Sequence, residues 1–335
     1  MKALVLKGYG AKHTLEFAEL ARPTIKSNEI LVQIHAAGFN PIDNMIPKGM
    51  FKPILKFQLP AVMGSDLAGV VVQVGGAVRH FKVGDAVFAS VFDMDRGSFA
   101  EYVAVPESAV AHKPSNISFV EAAALPMVAL TAWQALHERM QLKRGQKIFI
   151  PAGAGGIGTI AIQLAKQIGA FVATTTSTGN VELVRKLGAD EVVDYKKQEF
   201  EQALQGYDAV LGTMRDAELE KTFKILAPGS NVVSLVGPPD ANFARSRGMN
   251  VIMPLIFSLI SSKIRRLAKS RNANYSFMFV RPDGQQLSAV AALLEAGEIR
   301  SVVDKVFGFE DALEGLAYLE QGRAKGKVVL QMIAD

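Results

Sequence analysis

The stretch that decides the fold of half of this chain runs Ile148-Phe149-Ile150-Pro151-Ala152-Gly153-Ala154-Gly155-Gly156-Ile157-Gly158. It places a G-x-G-x-x-G pattern between a β-branched run and an amphipathic stretch. In such a loop Gly153 permits a tight turn, Gly155 lets the backbone approach a pyrophosphate, and Gly158 lets the helix pack on the strand. The unpaired N–H groups at the start of that helix bind phosphate. The stretch therefore predicts a dinucleotide site, with a glycine-rich turn that binds nothing as the alternative.

Strands and helices alternate at short intervals after this loop, and Lys147–Pro151 is the strand that leads into it. This alternation predicts parallel strands joined by right-handed crossovers, which form a doubly wound sheet. The further strands predicted are Phe171–Thr176, Glu191–Val193, Ala209–Leu211, Asn231–Val236 and Phe277–Val280. The helices predicted between them are Gly156–Ile168, Val181–Leu187 and Leu219–Leu226.

The chain on the N-terminal side of this region has a strand-like texture instead. Alternating or β-branched runs separated by Gly, Pro and Asp predict a mostly antiparallel β domain. Its predicted strands are Ala3–Leu6, Glu29–Ala36, Ala68–Val74, Ala86–Ala89 and Phe99–Val105. The texture changes at Ser118, which with Glu121 has the spacing of a capping box. After Pro282 the chain completes the β domain with helices at Leu287–Ala296 and Glu310–Glu320 and a strand at Lys327–Met332.

The end of the second strand after the loop decides between NAD and NADP. An NAD site carries an Asp or Glu there, about 20 residues after the glycines, which binds the ribose 2′-OH. The chain instead reads Thr174-Thr175-Thr176-Ser177-Thr178-Gly179-Asn180, and its first acid, Glu182, falls in the next helix. Polar groups of Thr176, Ser177 and Asn180 suit a 2′-phosphate, with Lys325 or Lys197 as the expected cation. The sequence therefore favours NADP(H), unless the threonines only satisfy β-propensity.

Composition and charge exclude several classes of protein. The chain has 335 residues, 37 Lys and Arg against 32 Asp and Glu, a formal net charge of +5, and no cysteine. Without cysteine there is no disulfide, iron–sulfur cluster, thiolate zinc site or cysteine nucleophile. The small charge excess does not indicate a nucleic-acid partner, which usually requires a clustered basic face. Because the N-terminus reads as a first strand rather than a signal sequence, we expect a cytoplasmic protein.

Several segments resemble one family in their order and spacing. They are Gly64-Ser65-Asp66-Leu67-Ala68-Gly69-Val70-Val71, Val83-Gly84-Asp85-Ala86-Val87, Gly97-Ser98-Phe99-Ala100-Glu101-Tyr102, Leu125-Pro126 through Thr131-Ala132, the glycine loop, and Leu187-Gly188-Ala189-Asp190. Over nearly the whole chain they resemble the medium-chain dehydrogenase/reductase superfamily, and within it the zinc-free quinone oxidoreductase and enone reductase branch. The resemblance implies a GroES-like substrate domain formed by residues 1–120 and 282–335, and a Rossmann NADP-binding domain at 121–281. It also implies a homodimer, joined by edge pairing of the strand at Phe277–Val280.

The resemblance allows the presence of zinc to be judged from residues. Zinc alcohol dehydrogenases of the superfamily carry a Cys near Asn40–Asp43 and a Gly-His-Glu where this chain has Gly64-Ser65-Asp66. The two acids that remain, Asp43 and Asp66, make a poor zinc site without His or Cys, so no metal is expected. Without a Lewis acid an alcohol proton is hard to remove. The expected reaction is therefore NADPH-dependent hydride transfer to a quinone or to the C=C of an α,β-unsaturated carbonyl.

The resemblance also implies roles for three single residues. Asn40 matches a pocket asparagine that faces the nicotinamide and the substrate, and its alternative is an Asx turn before Pro41. Thr131 matches a threonine at the nicotinamide end, with a helix residue that bonds back to the main chain as the alternative. Tyr195 matches an aromatic residue near the 2′-phosphate or adenine, and its alternative is an ordinary tyrosine at a strand end.

Three more positions complete the expected site. Val236 and Gly237 end a predicted strand, where open α/β sheets bind ligands. Phe279 matches a residue on a strand that approaches the nicotinamide, and simple core packing is its alternative. For the final proton, Tyr9 and Tyr275 are candidate acids and water is the alternative.

A basic segment departs from the family pattern. Between Asp240 and Asn274 the chain is longer and more basic than in compact members, and the apolar run Val251–Ile260 is followed by five basic residues, which are Lys263, Arg265, Arg266, Lys269 and Arg271. It reads as a membrane-surface helix, as a lid over the substrate, or as a solvated helix whose apolar side packs on the domain. The last interpretation is favoured, so peripheral membrane contact is an alternative only.

Two rival functions remain open at this point. An NADPH-binding sensor or scaffold protein would keep the dinucleotide site without turnover. A zinc-type alcohol dehydrogenase would contain stoichiometric metal after purification. Binding and turnover assays with NADPH, together with metal analysis, discriminate between the three.

Overall fold

The computed structural model describes residues 1–10, 15–52, 54–55 and 57–334, and these contain sixteen strands and twelve α-helices. The strands are β1 (Lys2–Leu6), β2 (Leu15–Glu19), β3 (Glu29–Gly38), β4 (Ala61–Val62), β5 (Asp66–Val74), β6 (Ala86–Ser90), β7 (Tyr102–Pro106), β8 (Val110–His112), β9 (Lys147–Ile150), β10 (Phe171–Thr176), β11 (Glu191–Asp194), β12 (Tyr207–Gly212), β13 (Leu226–Ser234), β14 (Asn274–Phe277), β15 (Val303–Gly308) and β16 (Lys327–Gln331). The helices are α1 (Pro41–Met45), α2 (Phe119–Ala123), α3 (Pro126–Trp133), α4 (Gly156–Ile168), α5 (Val181–Lys186), α6 (Phe200–Ala203), α7 (Asp216–Thr222), α8 (Ala241–Ser246), α9 (Ile252–Ile260), α10 (Ser262–Ser270), α11 (Gly284–Glu295) and α12 (Ala312–Glu320).

These elements divide into two compact units, residues 1–130 with 280–335 and residues 131–279. The first division falls inside α3, ten residues after the expected change at 120/121. One contact that holds the start of α3 in the first unit is a hydrogen bond of 2.9 Å from the Met127 N–H to Asp66 Oδ1. The return to the first unit at 279/280 lies two residues before the expected position. The texture change at Ser118 therefore marks the first helix of this region rather than the unit boundary.

The first unit contains the antiparallel β domain that the sequence predicts. Its smaller sheet has the order β2-β1-β4, and its larger sheet has the order β15-β16-β3-β5-β6-β8, with β7 also paired to β3. In the larger sheet only the pair β15–β16 is parallel. Gly38 at the end of β3 lies opposite both Asp66 of β5 and Val329 of β16. This register brings the end of β3 and the starts of β5 and β16 together.

The second unit confirms the predicted doubly wound sheet. Its six strands are all parallel and have the order β11-β10-β9-β12-β13-β14. This is the strand order of a Rossmann fold, in which later strands are added on the other side of the first strand, here β9. Aromatic side chains fill one face of the sheet, where Phe149 stacks on Phe200 at 4.8 Å and Tyr207 and Phe223 are 1% exposed. The ligand-binding edge of such a sheet is the edge where its strands end.

Two predicted elements of the second unit are displaced. The last strand is Asn274–Phe277 rather than Phe277–Val280, because it is these residues that pair with Asn231–Ser234 of β13. The helix expected at Leu219–Leu226 begins earlier, at Asp216, and ends at Thr222, since Leu226 already belongs to β13. Phe279 consequently lies after the strand and not on it.

The favoured interpretation of the basic segment is wrong for its apolar half. Val251–Ile260 was expected to pack its apolar side on the domain, but of α9 only Phe257 is buried, whereas Leu255 and Leu259 are 67% and 74% exposed. The Phe257 ring stacks on Phe243, and Met253, Pro254 and Ser258 beside it are only half-buried. In the described part of the chain no helix is both long enough and apolar enough to cross a membrane.

Candidate active site

The glycine loop connects the end of β9 to the start of α4. A Cβ on Gly153 would lie 2.1 Å from Thr174 Oγ1, and one on Gly158 would lie 2.5 Å from Ala152 O, so packing within the chain requires both glycines. A Cβ on Gly155 meets only Ala152 O, at 3.3 Å, and the φ of Gly155 is an ordinary −80°. The chain itself leaves room beside Gly155, at the uncapped N-terminus of α4, where N–H groups have no helical partner. The loop therefore fits the pyrophosphate of a dinucleotide.

The threonines at the end of β10 hold the glycine loop in place through hydrogen bonds. Thr175 Oγ1 accepts a hydrogen bond from the Ala152 N–H at 3.1 Å, and its carbonyl accepts one from the Gly153 N–H at 3.0 Å. The Thr174 hydroxyl donates to the carbonyl of Ile150 at 2.6 Å. Two hydroxyls of the Thr-rich run are thus engaged inside the fold. Thr176, the last residue of the strand, is also only 3% exposed.

The residues expected at a 2′-phosphate lie close together in the second unit. Ser177 and Asn180 belong to the turn after β10, with Asn180 Nδ2 donating to Ser177 Oγ at 3.3 Å. Tyr195 follows β11, the parallel neighbour of β10, and is 60% exposed. Lys197 Nζ lies 3.7 Å from Asp194 Oδ2, whereas Lys325 belongs to the first unit, before β16. Of the two cations considered, Lys197 is the one that shares a unit with these residues.

Asp194 is an acid at this edge that the sequence analysis does not consider. It ends β11, and the Thr178 hydroxyl donates to its Oδ2 at 2.6 Å. This hydrogen bond lowers the pKa of the carboxyl. Asp194 is thus charged and already engaged by the turn that carries Ser177 and Asn180.

The other expected contacts are distributed over the second unit. Thr131 lies in α3 and is 5% exposed. Val236 and Gly237 follow β13 and line a cavity of about 430 Å³, with the Gly237 N–H donating to Ser234 Oγ at 2.9 Å. The ring of Phe279 lies 5.2 Å from Phe243, so it packs in an aromatic cluster. That contact agrees with the core-packing alternative for Phe279.

Tyr275 is poorly suited to donate a proton. Its hydroxyl donates a hydrogen bond of 2.8 Å to the carbonyl of Pro238, and burial raises the pKa of the phenol above its ordinary value. Tyr9 lies in the first unit, where the Lys52 ammonium sits 4.2 Å above its ring. Of the two acids considered, Tyr275 is not poised to protonate a substrate, because its hydroxyl is engaged by a carbonyl.

A buried charged cluster joins three strand ends of the first unit. The Lys327 ammonium donates to Phe39 O and to Asn40 Oδ1, both at 2.6 Å, and lies 3.5 Å from Asp66 Oδ2. Asn40 Nδ2 in turn donates to Asp66 Oδ2 at 3.0 Å. All three residues are at most 5% exposed. Three acceptors around one nitrogen match the three N–H bonds of a charged lysine.

Burial opposes charge throughout this cluster. It raises the pKa of Asp66 and lowers the pKa of Lys327, while their mutual attraction acts against both changes. Asp43, in the same cluster, accepts from the Asn40 N–H through Oδ2 at 2.8 Å, but its Oδ1 is buried without a hydrogen-bond partner. Burial raises the pKa of Asp43 from 3.8 to about 7. A carboxyl group with this pKa is partly protonated at neutral pH.

These residues do not fit a zinc ion. Asn40 and Asp66 stand where the resemblance places ligands in zinc alcohol dehydrogenases, and here their oxygens bind an ammonium group of the chain itself. The donor set contains no thiolate or imidazole, which zinc prefers, since Ser65 replaces the histidine. A divalent cation would also be repelled by the buried Lys327.

The cluster changes what is expected of Asn40. Both ends of its amide are engaged, and the residue is 2% exposed, so within the first unit it holds Lys327 and Asp66. Asp66 also accepts from the first turn of α3, the helix that carries Thr131. The sequence analysis misses Lys327, although a lysine that opens the apolar run Lys327-Val328-Val329-Leu330 is a signal for a buried cation. Asp43 and Asp66 are identified there only as acids left from a zinc site.

The fold and the loop define a class of protein. A Rossmann sheet with an open glycine loop, in one chain with an antiparallel β unit, is characteristic of two-domain dinucleotide-dependent oxidoreductases. The family model described as alcohol dehydrogenase GroES-like domain matches residues 26–115, and the model described as zinc-binding dehydrogenase matches residues 187–330. The chain belongs to the medium-chain dehydrogenase/reductase superfamily, in its zinc-free quinone oxidoreductase and enone reductase branch.

Individual relatives extend over the whole chain. The 2-methylene-furan-3-one reductase of Solanum lycopersicum is 36% identical over 99% of this chain and 79% of its own length. The chloroplastic NADPH-dependent alkenal/one oxidoreductase of Arabidopsis thaliana is 35% identical over 99% of this chain and 80% of its own length. The solved quinone oxidoreductase of Coxiella burnetii is 28% identical, with a TM-score of 0.84 over 99% of both chains.

Proposed function

We propose that this protein is a zinc-independent, NADPH-dependent reductase that acts on a quinone or on the C=C of an α,β-unsaturated carbonyl. The observation that carries the proposal is the Lys327 ammonium bound by Asn40 and Asp66, because it leaves no ligand set for the zinc that the alcohol dehydrogenases of this superfamily use. The loop at Gly155 supplies the dinucleotide site. The names of the tomato, Arabidopsis and Coxiella proteins, which are enone reductases and a quinone oxidoreductase, support the same chemistry.

NADPH, when bound, supplies the hydride, and the acceptor is already polarised by the carbonyl group of the enone or quinone itself. The chain's part is to bind and orient. The N–H groups at the start of α4 would bind the pyrophosphate, and Ser177, Asn180 and Tyr195 would bind the 2′-phosphate. Since the Tyr275 hydroxyl is engaged in a hydrogen bond to Pro238 O, we take water rather than Tyr275 as the source of the final proton.

Purified protein tests the proposal directly. We expect NADPH absorbance to fall in the presence of short enones or quinones, with NADH a poorer donor at equal concentration. If NADPH binds and none of the acceptors is reduced, the protein is a sensor or scaffold instead. Stoichiometric zinc in the purified protein, with alcohol oxidation, would contradict the proposal.

The same family resemblance suggests a homodimer. β14 is the edge strand of the six-stranded sheet, and pairing with a second copy would continue that sheet. Light scattering on the purified protein is expected to give twice the chain mass of 36.0 kDa.

A further inference from the structure

The helices α9 and α10 share one inward face. Only Ser261 separates them, and their buried residues, Phe257, Ser261, Ile264 and Ala268, recur every three or four positions, which is the spacing of one helical face. Phe257 stacks on Phe243, while Ile264 and Ala268 join the aromatic core of the sheet. The side of the helix pair that faces the domain is therefore fully accounted for.

The outward face of α9 is apolar and exposed. It carries Ile252, Leu255, Ile256 and Leu259; together with Val251 and with Ile260, which borders the cavity at Val236 and Gly237, these residues are between 39% and 86% exposed. Six of the fourteen exposed large hydrophobic side chains in the described part of the chain lie within residues 251–260. A concentration of this kind marks an interaction surface rather than ordinary scatter.

The outward face continues as a cationic surface along α10. Lys263, Arg266 and Lys269 extend the helical spacing of the apolar face, and Arg271 follows the helix. Lys263 pairs with Glu220, but in the described chain Arg266, Lys269 and Arg271 have no carboxylate partner. From residue 241 to residue 280 the sequence has seven basic residues and no acid, which leaves the rest of the chain a net charge of −2.

We propose that α9 and α10 dock on an anionic lipid bilayer, with the apolar face of α9 in the acyl boundary and the cations of α10 on the phosphates. Apolar side chains next to unpaired cations on one face are what such an interface binds. A symmetric contact through this face is disfavoured because it would bring Arg266, Lys269 and Arg271 of two copies together, without carboxylates to offset them. With nine residues α9 is too short to span, so it lies in the interface.

Vesicle sedimentation tests this with the full chain and two vesicle types, pure phosphatidylcholine and an equal mixture with phosphatidylglycerol. We expect binding to the mixed vesicles only, and release by salt. The variant Leu255→Glu/Leu259→Glu should abolish binding, whereas Leu313→Glu, an exposed leucine of α12, should leave it unchanged. The triple variant Arg266→Glu/Lys269→Glu/Arg271→Glu should weaken binding by roughly 100-fold.

The matched control for charge is Lys82→Glu/Lys143→Glu/Arg323→Glu, which changes the net charge equally at exposed sites elsewhere. Circular dichroism and the thermal midpoint report whether each variant folds. If the leucine variant does not fold, the two charge variants test the proposal on their own. Equal loss in the control triple, or no binding to mixed vesicles, overturns the proposal. The proposal is also overturned if the wild type does not bind vesicles and the leucine variant changes the oligomeric state, since a second copy then covers α9. Binding of duplex DNA without vesicle binding overturns it as well.

Discussion

At the scale of single residues, Gly155 differs from its neighbours in what a side chain would meet. A Cβ there would meet only Ala152 O, at 3.3 Å, and the φ is ordinary, whereas Gly153 and Gly158 are enclosed by Thr174 and Ala152 at 2.5 Å or less. Gly155→Val is therefore expected to keep the thermal midpoint of the protein and to weaken NADPH binding by at least about tenfold. Gly153→Ala should instead lower the midpoint. Calorimetric titration and thermal scans measure both, and a Gly155→Val variant that binds NADPH normally would contradict the assignment.

The buried ion pair predicts an asymmetry between single and double substitution. Lys327→Met leaves Asp66 without its cation, and breaking a buried pair in this way costs roughly 3–5 kcal/mol of unfolding free energy. Lys327→Met/Asp66→Asn removes both charges and should recover most of that loss, because no uncompensated charge stays buried. Urea denaturation of the wild type, both single variants and the double variant gives the coupling energy. Additive losses would show that the two side chains act independently.

Asp43 predicts how stability depends on pH. The folded chain keeps this proton up to a pKa of about 7, whereas the unfolded chain releases it near 3.8, so unfolding free energy falls as pH rises between these values. Asp43→Asn cannot lose a proton and should not show this fall. Relative to that of the wild type, the unfolding free energy of the variant should rise by roughly 4 kcal/mol or less between about pH 4 and pH 8. Urea denaturation at several pH values tests the sign, and a constant difference between the two proteins would refute it.

At the scale of elements, the capping box of α2 offers a local test. The Glu121 N–H donates to Ser118 Oγ at 3.1 Å, and the Ser118 N–H donates to Glu121 Oε2 at 2.9 Å, as the sequence predicts. Ser118→Ala should lower the unfolding free energy by about 1 kcal/mol, because it leaves an N–H of the first turn unpaired. Ser118→Asn preserves an acceptor, keeps a donor for Glu121 Oε2 and should lose much less. Equal losses would mean that the hydroxyl does not cap the helix.

The elements predicted best are those whose signals are local. Gly156–Ile168 is found with its predicted bounds because a glycine loop opens it and Gly169, in the left-handed conformation, ends it. The strand at Asn274–Phe277 was misplaced because its limits depend on pairing with β13, which periodicity does not reveal. The exposed face of α9 was missed for a similar reason. An apolar run indicates that its side chains avoid water, but it does not indicate whether the domain itself or another molecule covers them.

At the scale of the whole molecule, the resemblance predicted both folds, whereas the cluster around Lys327 required the sheet register. Asn40 and Lys327 are almost the length of the chain apart, and they meet because Gly38 pairs with both β5 and β16. No local pattern reports a contact of that kind. The order of the larger sheet is therefore what turns three separate polar residues into one buried group.

The positive charge in this cluster is part of the polypeptide, because it is the Lys327 ammonium and not a bound metal ion. Every copy of the protein therefore has this charge as soon as it is synthesised, without taking up zinc. We expect unfolded protein to refold in the presence of a strong chelator with the same yield and thermal midpoint as without it. A yield that depends on added zinc would contradict this. Cells starved of metal would then keep this protein in full, where a zinc-dependent counterpart would lose its function.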